Sequence, residues 1–254
     1  VEITCDTSKI HLLILFDVDK TTEYVNDFII RCGIDRRMFA DKLAGTTQSI
    51  FQIAKLANDE GAVVIPAHID DYNGLSSISN ENLKSFFELP YINAVQVVHK
   101  QFTDKLLQTN TNEELKEYLN NYYNNPTPPI DYTIMSEWHK PVKKAIEHKL
   151  AVTTFSDNPH APQNPKHGLD GIGAHFTWIK MDEKPSLEGL RQAFLLPNFR
   201  VKNEFVSNNS PYTQPDLWIK SISISDTTFT ESPGNLKIDL SPQLTTIIGG
   251  RGSG

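Results

Sequence analysis

Residues 62–70 read AVVIPAHID, and their reading decides the fold. Ala62 to Pro66 is a short apolar run rich in β-branched Val and Ile, too short for a helix and suited to a buried strand. His68 follows at its carboxyl end. Just before it, Gly61 supplies the stop for a helix. That helix carries Ile50, Ile53, Ala54 and Ala57 at helical spacing, with Thr46 as its expected cap. Helix, glycine stop, apolar strand and terminal histidine form one unit.

The unit recurs on both sides. Ile10 to Phe16 (IHLLILF) reads as another buried strand, expected to be parallel, and Thr22 to Cys32 reads as a helix with Tyr24, Val25, Phe28 and Ile29 on one face. Downstream come a helix over 81–87, a strand over 93–98 (NAVQVV) with His99 at its end, and a helix over 135–148. A strand over 150–155 (LAVTTF) then ends in Ser156-Asp157. Residues 100–132, rich in Asn, Tyr and Pro, are expected to be an insertion on the rim, with a helix at 112–123. Alternating helices and strands argue for an α/β fold built on a parallel sheet or barrel. From about Arg200 the pattern changes. Residues 201–216 read as a linker, and 217–254 as short strands with a hairpin turn at Ser232-Pro233-Gly234. Leu244 to Ile248 is expected to be the last of these strands.

Bulk chemistry narrows the function. The chain has 254 residues, with 24 basic against 31 acidic side chains, for a net charge of −7. That balance gives no electrostatic reason for nucleic acid to coat the whole surface. Cys5 and Cys32 stand in no motif spacing, which fits a reducing cytoplasm better than a disulfide framework. No apolar run is long enough to span a membrane. Both ends read as cut: Val1-Glu2-Ile3-Thr4 as the interior of a strand, and Gly250 to Gly254 as a loop.

Polar side chains at strand ends are where α/β barrels place their chemistry. His68, His99 and Asp157 occupy such positions. Glu2 and His11 flank the first turn, and His160 lies three residues after Asp157. Histidine with carboxylate is the ligand mix of Zn²⁺, Mn²⁺ or Fe²⁺. Each of these residues also has an ordinary reading: a histidine at a strand end as a hydrogen-bonded structural group, Glu2 as a solvated surface charge.

The order V-E-I-T, I-H-L-L, P-A-H-I-D and F-S-D-N-P-H resembles the polymerase and histidinol phosphatase (PHP) superfamily of phosphoesterases over residues 1–200. The resemblance implies an incomplete distorted (β/α)7 barrel holding divalent metal ions (Mn, Zn or Fe). It implies Glu2 as bridging carboxylate, with His11, His68, Asp157 and His160 as further ligands, and Glu2 and Asp157 at the centre of catalysis. Two features depart from the family pattern. The opening His-x-His motif is absent, and the last motif reads Ser-Asp-Asn-Pro-His, one residue longer than Ser-Asp-x-His. His167 is a weaker substitute for His160, and His99 is either a ligand or a rim residue. His139, His148 and His175 read as surface or packing residues.

The stretches at 171–181 and 187–193 resemble the TrlF-type branch, in which such a barrel is joined to an ATPase of the structural-maintenance-of-chromosomes (SMC) type. There Trp178 and Leu190 are expected in the core, and Lys180 and Arg191 as solvated charges or phosphate contacts. The terminal phrase LTTIIGGRGSG fits the same branch. Gly249, Gly250, Arg251, Gly252, Ser253 and Gly254 match the first six positions of a phosphate loop, G-x-x-x-x-G-K-[ST], whose backbone N–H groups cradle phosphates. The following Lys and Ser/Thr lie beyond the chain, and a glycine-rich linker is the plain alternative. The implied parent binds ATP with Mg²⁺, dimerises through its ATPase heads, and cleaves phosphate esters of nucleotides or nucleic acid. A catalytically inactive recognition or scaffold module for the ATPase is the competing reading. A barrel enzyme of unrelated chemistry is a third.

Overall fold

The structure is a computed structural model, and it describes residues 1–5, 10–39, 41, 44–104, 112–156, 172–181, 184–206, 217–225, 236–241 and 245–247. The chain divides into two compact units, Val1–Asn208 and Asn209–Gly254.

The first unit is mixed α/β. It opens with β1 (Glu2–Cys5), β2 (Ile10–Leu15) and β3 (Val63–Pro66), hydrogen-bonded in that order. Both pairings are antiparallel, with Glu2 opposite Leu13, Thr4 opposite His11, and Leu12 opposite Pro66. The expected parallel direction of the Ile10 strand is therefore corrected. An apolar run states that a strand is buried but not which way its partner runs. Side chains alternate across the sheet. Ile3, Cys5, Ile10, Leu12 and Ile14 point into the main core and are almost fully buried. Leu13 and Leu15 point the other way, onto a smaller apolar cluster with Val63, Ile65 and Phe194. Two covered faces are why β2 reads as a continuous apolar run rather than an alternating one.

A parallel bridge from Val64 to Ile92 leads to β4 (Ala94–Gln96), which pairs in parallel with β5 (Ala151–Thr153). β6 (Thr177–Ile179) and β7 (Val201–Asn203) form an antiparallel pair beside β5, where Thr154 N–H donates to Thr177 Oγ1 and Asn203 Nδ2 donates to the Val152 carbonyl. β7 takes in three residues that the sequence reading gives to the linker.

Five amphipathic helices fall close to their expected places: α1 (Thr22–Arg31), α2 (Ile50–Asp59), α3 (Asn80–Phe87), α4 (Glu113–Tyr122) and α5 (Tyr132–Glu147); α6 (Leu187–Leu195) and the short α7 (Pro197–Arg200) add to them without a counterpart in the sequence reading. The cap of α2 is Ser49, not Thr46: Ser49 and Gln52 form a reciprocal capping box. Thr46 instead donates its N–H to the Thr4 carbonyl, tying the approach to α2 against β1. Gly61, at φ +70°, ends the helix in the left-handed conformation that a glycine adopts freely. The segment expected as a rim insertion also feeds the core. Leu115, Leu119 and Ile130 are buried in it, and the Asn120 amide brackets Ile130 by accepting from its N–H and donating to its carbonyl. Trp178 and Leu190, expected in the core, are only half-buried.

In the second unit, β8 (Ser221–Ile224) and β9 (Leu236–Asp239) form an antiparallel hairpin. The turn at 232–234 lies outside the described residues. Residues 245–247, expected within a strand, belong to none. A strand needs a partner's backbone groups, no described segment pairs with them, and Ile247 is largely exposed.

Leu12 sits at the centre of the first sheet and is fully buried. Leu12→Ala should lower unfolding stability by about 2–5 kcal/mol, read from denaturant midpoints. A loss below about 1 kcal/mol would contradict the placement of the core.

Candidate metal centre

The antiparallel register dictates which side chains meet. Glu2, Thr4 and His11 share the face of the sheet opposite the main core, with Thr4 and His11 directly paired and Glu2 diagonal to His11. β3 brings its carboxyl end to the same rim. There the Ala67 N–H donates to the His11 carbonyl, and the chain turns sharply at His68. His68 has φ +29°, unusual for a residue with a Cβ. Such backbone strain costs of order 1–3 kcal/mol and gathers at ligand clamps.

The turn aims the imidazole back at the sheet. His68 Nε2 lies 3.1 Å from His11 Nδ1, and Glu2 Oε1 lies 2.6 Å from His11 Nδ1 and 3.8 Å from His68 Nε2. Among the described residues, Glu2, His11 and His68 form a group of metal-capable side chains whose ligand atoms all fall within 4.8 Å of one another. Donors about 2.1 Å from one tetrahedral ion stand about 3.4 Å apart, so these separations bracket what an ion requires. Burial falls outward: His68 is nearly enclosed, His11 partly covered, and Glu2 the most open.

Burial alone would raise the Glu2 carboxyl. Hydrogen bonds and charge attraction from His11 and His68 outweigh it and hold the group well below the usual carboxylate range. The centre thus keeps an ionised carboxylate oxygen, the form in which a carboxylate binds a divalent cation; an arriving ion would displace the ring protons that now bond to it.

The loop after His68 locks the two histidines together. Asp71 N–H donates to the His68 carbonyl, Gly74 N–H to the Asp71 carbonyl, and His11 N–H to the Asn73 carbonyl. A Cβ on Gly74 would stand 2.5 Å from the His68 carbonyl oxygen, so only glycine fits there.

Two buried polar side chains support the rim, and the sequence reading passes over both. Gln96 accepts from the His68 N–H at 3.1 Å and donates to the Phe155 carbonyl at 3.3 Å, joining the ends of β3 and β5. Asp70 is fully enclosed and accepts from the Val98 and His99 N–H groups at 2.8 and 2.7 Å. Burial pushes its carboxyl from 3.8 up to about 7, against the pull of those two hydrogen bonds. One amide inside the NAVQVV run and one acid two residues past His68 were the signals available.

The other expected site residues divide as follows. His99 is fully buried, packed among Phe102, Tyr122, Tyr123 and Trp138, with Nε2 2.9 Å from the Tyr123 hydroxyl; it is a packing residue. His139 stacks on Phe102, and burial, reinforced by Lys143, lowers its pKa. Arg191 donates to the Gly61 carbonyl and pairs with Glu188, a structural role. It also lines a cavity of about 210 Å³ with Asn58, Tyr91 and Phe194, by the amino ends of β3 and β4 and so away from the His68 rim. Asp157, His160, His167 and Gly249 to Gly254 lie outside the described residues.

No protein-family model, no curated protein and no solved structure matches the chain. The centre therefore stands on its own geometry. No helix among the described residues is long and apolar enough to cross a membrane.

Two outcomes follow from the loop and its buried acid. Gly74→Ala should cost about 1–3 kcal/mol of stability and loosen the His11–His68 contact, read by denaturation and by histidine ring resonances. Folded Asp70 keeps a proton that the unfolded chain releases, so its contribution is present at low pH and is lost as pH rises from about 4 through 7. In chelator, the stability of the wild type relative to Asp70→Asn should therefore fall between about pH 4 and pH 7 and level off above that. A gap that stays constant or widens would contradict the assignment.

Proposed function

We propose that Glu2, His11 and His68 hold a divalent metal ion, Zn²⁺, Mn²⁺ or Fe²⁺, in a phosphoesterase centre of PHP type. One observation carries the reading: three ligand-type side chains, two from strands and one from the turn after a third, spread over 67 positions of sequence, converge within 4.8 Å. A bound ion supplies Lewis acidity toward a phosphate ester and acidifies water near neutral pH. Glu2 contributes the charge that retains the ion, His11 and His68 the neutral nitrogens, and Gln96 and the 68–74 loop hold them in place. The resemblance adds Asp157 and His160 as further ligands, with Glu2 and Asp157 central to catalysis. It is also the support for the incomplete (β/α)7 barrel and for a substrate among nucleotide or nucleic-acid phosphate esters, while the two free cysteines support a cytoplasmic setting. The attached ATPase of SMC type, dimerising through its heads, rests on the same resemblance, with Gly249 to Gly254 as the start of its ATP·Mg²⁺ loop.

A second reading is favoured by a specific feature. The ligand-type atoms Glu2 Oε1, His11 Nδ1 and His68 Nε2 already contact one another, so these three are partnered without an ion. On that reading the unit is a catalytically inactive scaffold for the ATPase.

Metal analysis separates the two. The purified chain should retain close to one equivalent of Mn, Zn or Fe through gel filtration. His68→Ala should weaken metal affinity about tenfold or more and abolish any hydrolysis of bis-p-nitrophenyl phosphate. A metal-free chain that takes up none of these ions on titration would favour the scaffold.

A further inference from the structure

On the same rim stands a second histidine–carboxylate pair that the metal centre does not use. His175 precedes β6, and Glu204 follows β7. The antiparallel pairing of those strands brings together two residues 29 positions apart, and His175 Nδ1 bonds to Glu204 Oε1. Glu204 is mostly buried, whereas the His175 side chain is 54% exposed. Its ring is thus anchored through Nδ1 while about half of the side chain stays exposed. The anchoring continues through the backbone: Ser156 N–H donates to the His175 carbonyl, and His175 N–H donates to Ser156 Oγ at 3.2 Å. Ser156 follows Phe155, whose carbonyl takes the Gln96 amide that also holds His68. The strand ends bearing His68 and Ser156, and the start of β6 bearing His175, therefore lie along one hydrogen-bonded edge.

We propose that His175 is a catalytic residue of this centre, the proton donor to the leaving group of the phosphate ester, with Glu204 as its positioning residue. This rests on the phosphoesterase reading above. Glu204 is suited to orient the ring, because its carboxylate accepts from Nδ1–H and leaves Nε2 as the nitrogen that can serve a ligand. In the step, a water oxygen bonds to phosphorus and releases a proton to solvent. The bond from phosphorus to the ester oxygen breaks, its electron pair stays on that oxygen, and the Nε2 proton transfers to it. His175 is left neutral with Nδ1–H still on Glu204. Such donors contribute about 10²–10⁴-fold for leaving groups that depart poorly as anions, and little for p-nitrophenolate.

The test uses the full chain with ¹⁵N-labelled histidine. Zn²⁺ is added first, and inorganic phosphate second. Zn²⁺ should move the ring resonances of His11 and His68, and phosphate should then move that of His175. His175→Ala should bind Zn²⁺ as the wild type does, and bind phosphate about tenfold more weakly. It should also lose hydrolysis of an alkyl phosphate diester while keeping that of the bis-p-nitrophenyl ester. Glu204→Ala should weaken the His175 response to phosphate. If the zinc-loaded chain binds no phosphate, or binds it with His175 unmoved, the proposal is overturned and the metal centre stands. If Zn²⁺ leaves His11 and His68 unmoved, the metal reading fails and takes this one with it.

Discussion

The two-residue alternation of the β1–β2–β3 sheet is the constraint on which the molecule depends. It sends Ile3, Cys5, Leu12 and Ile14 into the main core and leaves Glu2, Thr4 and His11 on the opposite face. A slip of one residue would exchange the two sets, burying a carboxylate and an imidazole among aliphatic side chains and exposing the core. Burial of the aliphatic set thus fixes the register that the site requires. The same apolar contacts that stabilise the fold place two of the three ligand-type groups side by side.

The third group arrives differently. His68 comes from the end of β3 through a left-handed backbone turn, held by Gln96 on one side and by the 68–74 loop on the other. Strain at His68 is tolerated because several hydrogen bonds and the tight fit of Gly74 over-determine the conformation. Asp70 extends the brace to the β4 end by accepting two backbone N–H groups. Rigidity of this kind is what a site needs if its ligand atoms are to be presented without further ordering.

Much of this was legible in the residues, and the rest was not for identifiable reasons. The apolar runs at 10–16 and 62–66 announce strands, and the 50–57 spacing announces the inner face of α2, because burial leaves a periodic mark. Strand direction leaves none, which is why β2 was expected to be parallel. The cap of α2 was misplaced because Thr46 and Ser49 are both competent, and only Ser49 has a Gln three residues on. Glu2, His11 and His68 could be grouped only through a family resemblance, whereas the sheet groups them by register. His99 bore the same strand-end signature as His68, yet the aromatic residues around it claim it for packing. The pairing of His175 with Glu204 depends on the β6–β7 register, which no local pattern encodes.

The central claim is that the first sheet and the end of β3 build a place for an ion. X-ray absorption at the zinc edge of the zinc-loaded chain tests this most directly. The account predicts a first shell of nitrogen and oxygen only, at about 2.0–2.1 Å, with the outer-shell scattering of two imidazoles. Replacing either His11 or His68 should remove one of them. A shell without imidazole, or one unchanged by both replacements, would contradict the account.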